Sequence, residues 1–181
     1  LLLLMNNETF ELFFSMLSVA LLAGTLIVLA ARVLYSRSTL ARTIVSAFSP
    51  WALPLAAAVT TTCALGSLYF SEIVNYKPCI MCWYQRIMMY PLAIILIVAT
   101  LSKDNRVWRY TTPLAVIGIA FSTYHWFLER FPNLDAGVCD VEVPCEFVWF
   151  ENFGFVTLPF MALTGFLAVL VFTTLPNTQK E

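Results

Sequence analysis

The sequence has few charged residues. Only 12% of its 181 residues are Asp, Glu, Lys or Arg, and its net charge is −1. Soluble domains contain about 25% charged residues, so the composition excludes a soluble globular protein. The near-zero net charge gives no sign of a nucleic-acid partner, and none is expected. Internal repeats and low-complexity tracts are also missing, which favours a single domain.

Basic residues are missing ahead of the first apolar run as well. A cleaved signal peptide carries them there. In this sequence the run follows "NNETFE", and Arg32, Arg37 and Arg42 come after it. We therefore expect an uncleaved anchor whose N-terminus lies outside the cytoplasm, with Met5 after "LLLL" as the start residue.

Apolar residues make up 60% of the chain and are gathered into long runs. A membrane-spanning helix needs about 20 mostly apolar residues, and five segments qualify: residues 12–31, 51–70, 83–101, 111–128 and 155–175. The expected fold is an all-α integral membrane protein, with a four-helix transmembrane bundle core plus one additional N-terminal transmembrane helix. Residues 1–50 would form the N-terminal anchor and a cytoplasmic loop, and residues 51–176 the four-helix core.

The distribution of basic residues predicts the orientation, because short cytoplasmic loops carry an excess of Lys and Arg. With the N-terminus outside, seven of the ten basic residues lie in cytoplasmic segments: Arg32, Arg37, Arg42, Lys103, Arg106, Arg109 and Lys180. The other three, Lys77, Arg86 and Arg130, lie outside. This orientation places both close pairs of cysteines on the outer side of the membrane.

The first cysteine pair lies in "KPCIMCWYQR", just before the third apolar segment. Pro78 is suited to the first position of a helix, which would put Cys79 and Cys82 in the first turn. The positive end of the helix favours a thiolate there. Arg86 lies one turn beyond Cys82 on the same face and would stabilise a thiolate or another anion beside it. These features indicate a reactive pair.

The second pair, Cys139 and Cys145, lies in "GVCDVEVPCEF" before the fifth segment. Acidic neighbours such as Asp140 raise the pKa of a thiol, which makes it a poorer attacking group at neutral pH. Gly137 and Pro144 indicate irregular, mobile structure. We therefore expect this pair on an exposed, flexible arm, with thiols less activated than those of the first pair.

Two simpler interpretations of the cysteines remain open at this point. Both pairs could be structural disulfides that staple the outer loops. The four cysteines could also bind zinc, since C-x-x-C is a common half-site, although an oxidising exterior competes for the thiols. The fifth cysteine, Cys63, lies in the middle of an apolar segment and is expected to be a packing residue.

His125 is the only histidine and lies near the outer end of the fourth segment, in "STYHWFLER". It is expected at a depth similar to that of Arg86. Together the two side chains could hold the carbonyl oxygens of a quinone near the first cysteine pair. Glu129, one turn further on, could orient the imidazole ring. The alternatives are an ordinary interface histidine and a solvated carboxylate.

The stretches "PCIMCWYQR" and "YHWFLERFPNLDAGVCDVEVPCEFVWFENFGFVTLPFMAL" resemble the DsbB family of disulfide-bond formation proteins, most closely its short-loop BdbC type. The resemblance covers about residues 51–175. It implies a multi-pass enzyme of the bacterial cytoplasmic (inner) membrane, with both cysteine pairs on the periplasmic or extracellular side. Such an enzyme reoxidises a DsbA-like thioredoxin-fold protein and passes the electrons to a membrane quinone, either ubiquinone or menaquinone.

The resemblance also implies roles for the four paired cysteines. Cys79 and Cys82 match the membrane-proximal catalytic pair beside the quinone. Cys139 and Cys145 match the catalytic loop pair that reacts with the donor protein.

Two further positions correspond to quinone-binding residues of the family. Arg86 matches its quinone-contacting arginine, and His125 aligns with a histidine implicated in quinone binding. The first apolar segment goes beyond the four spans usual in the family. Vitamin K epoxide reductase-like thiol oxidases are one alternative, but their loop cysteines precede the membrane C-x-x-C, whereas here they follow it. A non-enzymatic membrane scaffold with structural disulfides is the other.

Overall fold

A computed structural model describes residues 7–104, 106–135, 137–139 and 142–175. Within these ranges the one extended pairing is an isolated antiparallel bridge between Asn152 and Val156, and the regular structure is otherwise helical. The all-α prediction is therefore confirmed. The expectations for Met5, Asp140 and Lys180 lie outside the described residues.

The described part of the chain contains six α-helices: α1 (Asn7–Val33), α2 (Thr39–Phe48), α3 (Ala52–Leu68), α4 (Ile80–Ser102), α5 (Trp108–Leu128) and α6 (Leu158–Thr173). Short 3-10 turns occur at Ser49–Trp51 and Pro132–Leu134. A π-helical turn, Tyr69–Ile73, extends α3 toward the first cysteine pair.

Among the described residues, three helical stretches are long and apolar enough to cross a membrane: Asn7–Val33, Thr39–Ile73 and Ile80–Ser102. A further apolar helix, Leu158–Thr173, is shorter. The multi-pass membrane character is thus confirmed, while the count of four core helices plus one stays a prediction.

Helix α2 occupies a segment that we expected to be a cytoplasmic loop. Ser38 caps its N-terminus, since its Oγ accepts a hydrogen bond from the backbone N–H of Ala41 at 3.4 Å. Ala41 and Val45 are buried in a small apolar cluster with Ala31 of α1. A connection between two membrane spans can contain a short helix, so the cytoplasmic position of this segment stays a prediction. The apolar runs did not reveal the helix, because a side-chain cap and tertiary burial stabilise a helix too short to show up as such a run.

The core lies between the helices that follow α2. Leu92 of α4 and Phe166 of α6 are fully buried in it, and the Phe166 ring occupies the space that a side chain at Gly118 of α5 would need. Helix α1 packs against α6, and its Phe14 ring covers Gly66 of α3. Because α4 and α5 are neighbouring antiparallel helices, the N-terminus of α4 and the C-terminus of α5 meet at one end of the bundle.

Candidate active site

Cys79 forms the N-cap of α4. Its backbone is extended (φ −71°, ψ 174°), and its Sγ accepts a hydrogen bond from the backbone N–H of Cys82 at 3.4 Å. The helix begins at Ile80, two residues later than the position of Pro78 led us to expect. A sulfur atom therefore takes the place of the usual Ser or Asp oxygen at the helix N-terminus, where the unpaired N–H groups and the helix dipole favour a thiolate.

The thiols of Cys79 and Cys82 are both free, and their Sγ atoms lie 3.2 Å apart. Cys79 is buried and Cys82 is partly buried. The hydrogen bond from the Cys82 thiol lowers the pKa of Cys79 well below its usual range; His125 acts in the same direction, and burial opposes both. Cys79 is therefore the thiolate of the reduced pair.

His125 connects the two cysteine pairs. Its Nε2 lies 3.6 Å from the Sγ of Cys79 and 3.1 Å from the carbonyl oxygen of Cys145. Its Nδ1 accepts a hydrogen bond from the side-chain amide of Gln85 at 2.9 Å. Since an amide N–H can only donate, the ring proton is on Nε2, directed at Cys145 and next to Cys79. The imidazole is almost completely buried.

Cys139 and Cys145 are joined by a disulfide, with their Cα atoms 5.7 Å apart. Cys145 is 2% exposed, and both pairs share one apolar cluster with Met81 and Leu128. The exposed arm that we expected is therefore wrong for Cys145. The loop folds back onto the N-terminus of α4 and the C-terminus of α5 because its apolar side chains and the Cys145 carbonyl find partners there.

The disulfide bears on the zinc alternative. With Cys139 and Cys145 bonded to each other, the four cysteines cannot form a single metal site. Among the described residues, Cys79, Cys82 and His125 are the group that could hold an ion, with ligand atoms within 4.8 Å of one another.

A cavity of about 340 Å³ lies beside Cys82, lined by residues of α1, α3, α4 and α6. The charged and amide side chains that line it, Lys77, Gln85 and Arg86, lie near the first cysteine pair, whereas its other polar groups are mainly hydroxyls such as those of Thr62 and Thr164. Deeper in the bundle the lining is mostly apolar, with residues such as Val59 and Ala162. This arrangement fits an amphiphilic ligand with a polar head near Cys82 and an apolar tail.

Arg86 borders this cavity together with Cys82. Its Nη2 donates to the backbone carbonyl of Ser67 at 3.1 Å, and its guanidinium carbon lies 5.4 Å from the centre of the Trp83 ring. A guanidinium has five N–H donors, so one fixed hydrogen bond can hold the group while others face a ligand. These residues fit the head of a quinone, which presents carbonyl oxygens as acceptors.

His125 is not among the residues that line the cavity. It lies beside Cys79, with the disulfide loop on its other side. The structure thus brings Arg86 to Cys82 and His125 to Cys79, whereas we expected both to face one ligand. A role for His125 in quinone binding stays a prediction.

Gln85 is a site residue that sequence reasoning missed. It is 7% exposed and holds Nδ1 of His125, a role that we expected of Glu129. The sequence pattern could have revealed it, because Gln85 is a polar residue three positions after Cys82 on an otherwise apolar helix face.

Glu129 is not a solvated carboxylate. Its side chain is only 4% exposed and lies 4.0 Å from Arg130, and its Oε2 has no hydrogen-bond partner among the described residues. Burial raises the pKa of Glu129 to about 7.

Residues 49–175 match the sequence model of the family described as disulfide bond formation protein DsbB. The disulfide bond formation protein C of Bacillus subtilis is 42% identical over 140 residues, which are 76% of this chain and 96% of that protein. A probable disulfide formation protein C of Halalkalibacterium halodurans is 45% identical over 120 residues, or 66% and 88% of the two chains. No solved structure matches the chain significantly.

Proposed function

We propose that this protein, which belongs to the DsbB family of disulfide bond formation proteins and is a membrane disulfide oxidoreductase, reoxidises a DsbA-like thioredoxin-fold protein outside the cytoplasm. The electrons then pass to a membrane quinone. One observation carries the proposal. An oxidised loop pair and a reduced helix-end pair lie in one apolar cluster, with His125 in contact with both.

The first exchange takes place at the loop. A thiolate of the reduced donor protein attacks the Cys139–Cys145 disulfide and forms a mixed disulfide between the two proteins. The second donor thiol then attacks that bond, which releases the oxidised donor. Two electrons and two protons have moved to the loop, whose cysteines are now a dithiol.

The second exchange passes these electrons to the helix end. A loop thiolate attacks Cys79 of an oxidised Cys79–Cys82 pair, and Cys82 leaves as a thiolate near Arg86. The other loop thiol closes the Cys139–Cys145 disulfide again and releases Cys79. The Nε2–H of His125 and the N-terminus of α4 stabilise the Cys79 thiolate as it is released.

A bound quinone supplies a two-electron, two-proton acceptor. Arg86 would donate hydrogen bonds to it at the outer end of the cavity, with Cys82 on the same side. The apolar residues deeper in the cavity would hold the tail. Lys77, which also borders the outer end, adds a second positive charge near developing negative charge.

We place both cysteine pairs on the periplasmic or extracellular side, in a chain that crosses the bacterial cytoplasmic membrane five times. The seven-to-three distribution of the ten basic residues supports this orientation. We also propose that residues 51–176 form the catalytic core and that residues 1–50 are an N-terminal addition, since the family match begins at residue 49.

The test combines the purified protein with a reduced thioredoxin-fold donor and a short-chain quinone. Mass spectrometry should detect a mixed disulfide between the donor and Cys139 or Cys145, and the quinone absorbance should fall with each round of donor oxidation. A Cys139→Ser, Cys145→Ser double variant is the control and should do neither. If the wild-type protein forms no mixed disulfide and consumes no quinone, it is a scaffold and the proposal is wrong.

A further inference from the structure

We propose that α1 is a wall of the quinone cavity, and that Phe14, Leu17 and Leu21 determine which quinones fit. This inference rests on the proposed function and assigns a specificity role to the helix that precedes the family match. The alternative is a membrane anchor that does not influence the ligand.

The cavity-lining residues of α1 lie on one helical face. Phe14, Leu17, Ser18 and Leu21 border the cavity, and their spacing of three, four and seven residues places them in one stripe. Facing them are side chains of α3 and α6, with Cys82 and Arg86 of α4 at the outer end. A ligand in this cavity therefore contacts α1 as well as the catalytic helices.

The outer half of α1 is held in a defined position. The hydroxyl of Tyr76 donates to Glu11, and the side-chain amide of Asn152 donates to the Oγ of Ser15 at 3.0 Å. Tyr76 itself borders the cavity. These bonds fix the rotation of α1 and thereby the stripe that it presents.

The contact of α1 with α3 at Phe14 is equally specific. A Cβ atom at Gly66 would lie 3.1 Å from the Phe14 ring, so the glycine makes room for that ring. Helix association in lipid depends on such close packing and on interhelical hydrogen bonds, because apolar surface alone gives no advantage there. Along this half of α1 the close packing comes from Phe14 on Gly66, and the hydrogen bonds come from Tyr76 and Asn152 in the connecting segments.

The family match begins at residue 49, so the matched core does not contain α1. In this chain a surface that would otherwise face lipid is covered by protein side chains. Lipid tails adapt to any ligand shape, whereas a packed wall discriminates. One methylene group in a protein pocket changes selectivity by about 10- to 200-fold.

The test measures quinone binding directly, through the rise in Tm that added quinone produces. Leu21→Trp places a larger side chain in the cavity, and Leu26→Trp makes the same change on an exposed side of α1, where Leu26 is 53% exposed. With a menaquinone of several isoprene units, Leu21→Trp should weaken apparent binding by about tenfold or more. Leu26→Trp should bind like the wild type.

A second variant tests the opposite direction. Leu21→Ala widens the cavity, so its preference for long-tailed over short-tailed quinones should change relative to the wild type. Equal apparent affinities in the wild type, Leu21→Trp and Leu21→Ala would overturn the inference. If Leu21→Trp does not fold, an unchanged quinone preference in Leu21→Ala overturns it alone.

The result separates this inference from the proposed function. A wild-type protein whose Tm does not respond to any quinone would contradict the proposed function itself. A wild type that responds, with variants that respond equally, would contradict only the role of α1. The mixed disulfide with the donor protein should form normally in all variants, because the loop pair does not border the cavity.

Discussion

Cys79 and Cys82 are held at the N-terminus of a long helix with both thiols free. Cys139 and Cys145 are instead bonded to each other in a segment whose described residues form no helix or strand. The helix supplies the backbone N–H of Cys82 to Cys79, and His125 and Gln85 form a buried hydrogen-bonded pair beside it. The loop supplies apolar contacts and one carbonyl to His125. The helix end thus activates the thiol of Cys79, and the loop places the Cys139–Cys145 disulfide next to it.

Replacing the cysteines one at a time should have the largest effect on turnover. If the two pairs were equivalent, variants of either pair would leave the same thiols oxidised. Every Ser variant of the four should lose quinone-linked donor oxidation. Cys139→Ser should nevertheless allow quinone to oxidise Cys79 and Cys82, while Cys82→Ser should leave the loop pair reduced after one reaction with the donor. Thiol counting by mass spectrometry measures both states. Retained turnover in all four variants would make the cysteines structural.

Arg86→Ala should have the next largest effect, confined to the helix-end pair. Losing a hydrogen bond to a charged donor costs about 1.5–3 kcal/mol, which corresponds to about a 10- to 100-fold rise in quinone KM. Arg86→Lys should restore binding only in part, because an ammonium lacks the planar fork. Arg109→Ala, on the N-terminal turn of α5, is a matched control. Steady-state kinetics at varied quinone checks this, and an unchanged KM in Arg86→Ala would contradict the assignment.

His125→Ala should act mainly on Cys79 and change quinone KM less than Arg86→Ala does, because His125 does not line the cavity. Its removal takes away the Nε2–H that lies next to the Cys79 thiolate, so the pKa of Cys79 should rise. The thiolate fraction at mildly acidic pH then falls. Iodoacetamide labelling of reduced Cys79 against pH measures this, with Ser122→Ala on the same helix as the control. An unshifted labelling curve would show that His125 does not activate the pair.

Glu129→Gln should have the smallest effect, on stability. The pKa of Glu129 is raised from 4.5 to about 7 in the folded protein, so the folded state binds more protons between these values. The free energy of unfolding therefore falls as pH rises from about 4.5 to about 7 and then levels off. Glu129→Gln cannot ionise and should be more stable at pH 8, by about 1–3 kcal/mol. Measuring the Tm of both proteins between pH 4.5 and pH 8 checks this prediction. If Tm changed with pH equally in the wild type and in Glu129→Gln, the prediction would be wrong.

The sequence predicted the features that depend on local pattern. The apolar runs anticipated α1 and α3 to α6, the C-x-x-C spacing anticipated the close thiols of Cys79 and Cys82, and Arg86 lies beside Cys82 as one helical turn requires. These depend on neighbours a few positions apart, so periodicity and spacing were sufficient.

What the sequence could not supply depends on contacts between distant segments. The hydrogen bond from Gln85 to His125 joins two helices, and the burial of Cys145 depends on how the loop folds back. Helix α2 has too few apolar residues to be seen without its partners on α1. The cavity wall formed by α1 required the packing of Phe14 against Gly66, which no local pattern shows.

The central claim is that the loop pair exchanges with Cys79 and that Cys82 serves the cavity. It is tested most directly in two double variants oxidised under the same conditions: Cys82→Ser with Cys139→Ser, and Cys79→Ser with Cys139→Ser. Peptide mapping should find a disulfide between Cys79 and Cys145 in the first and little between Cys82 and Cys145 in the second. A disulfide that forms as readily from Cys82, or none from Cys79, would contradict the account.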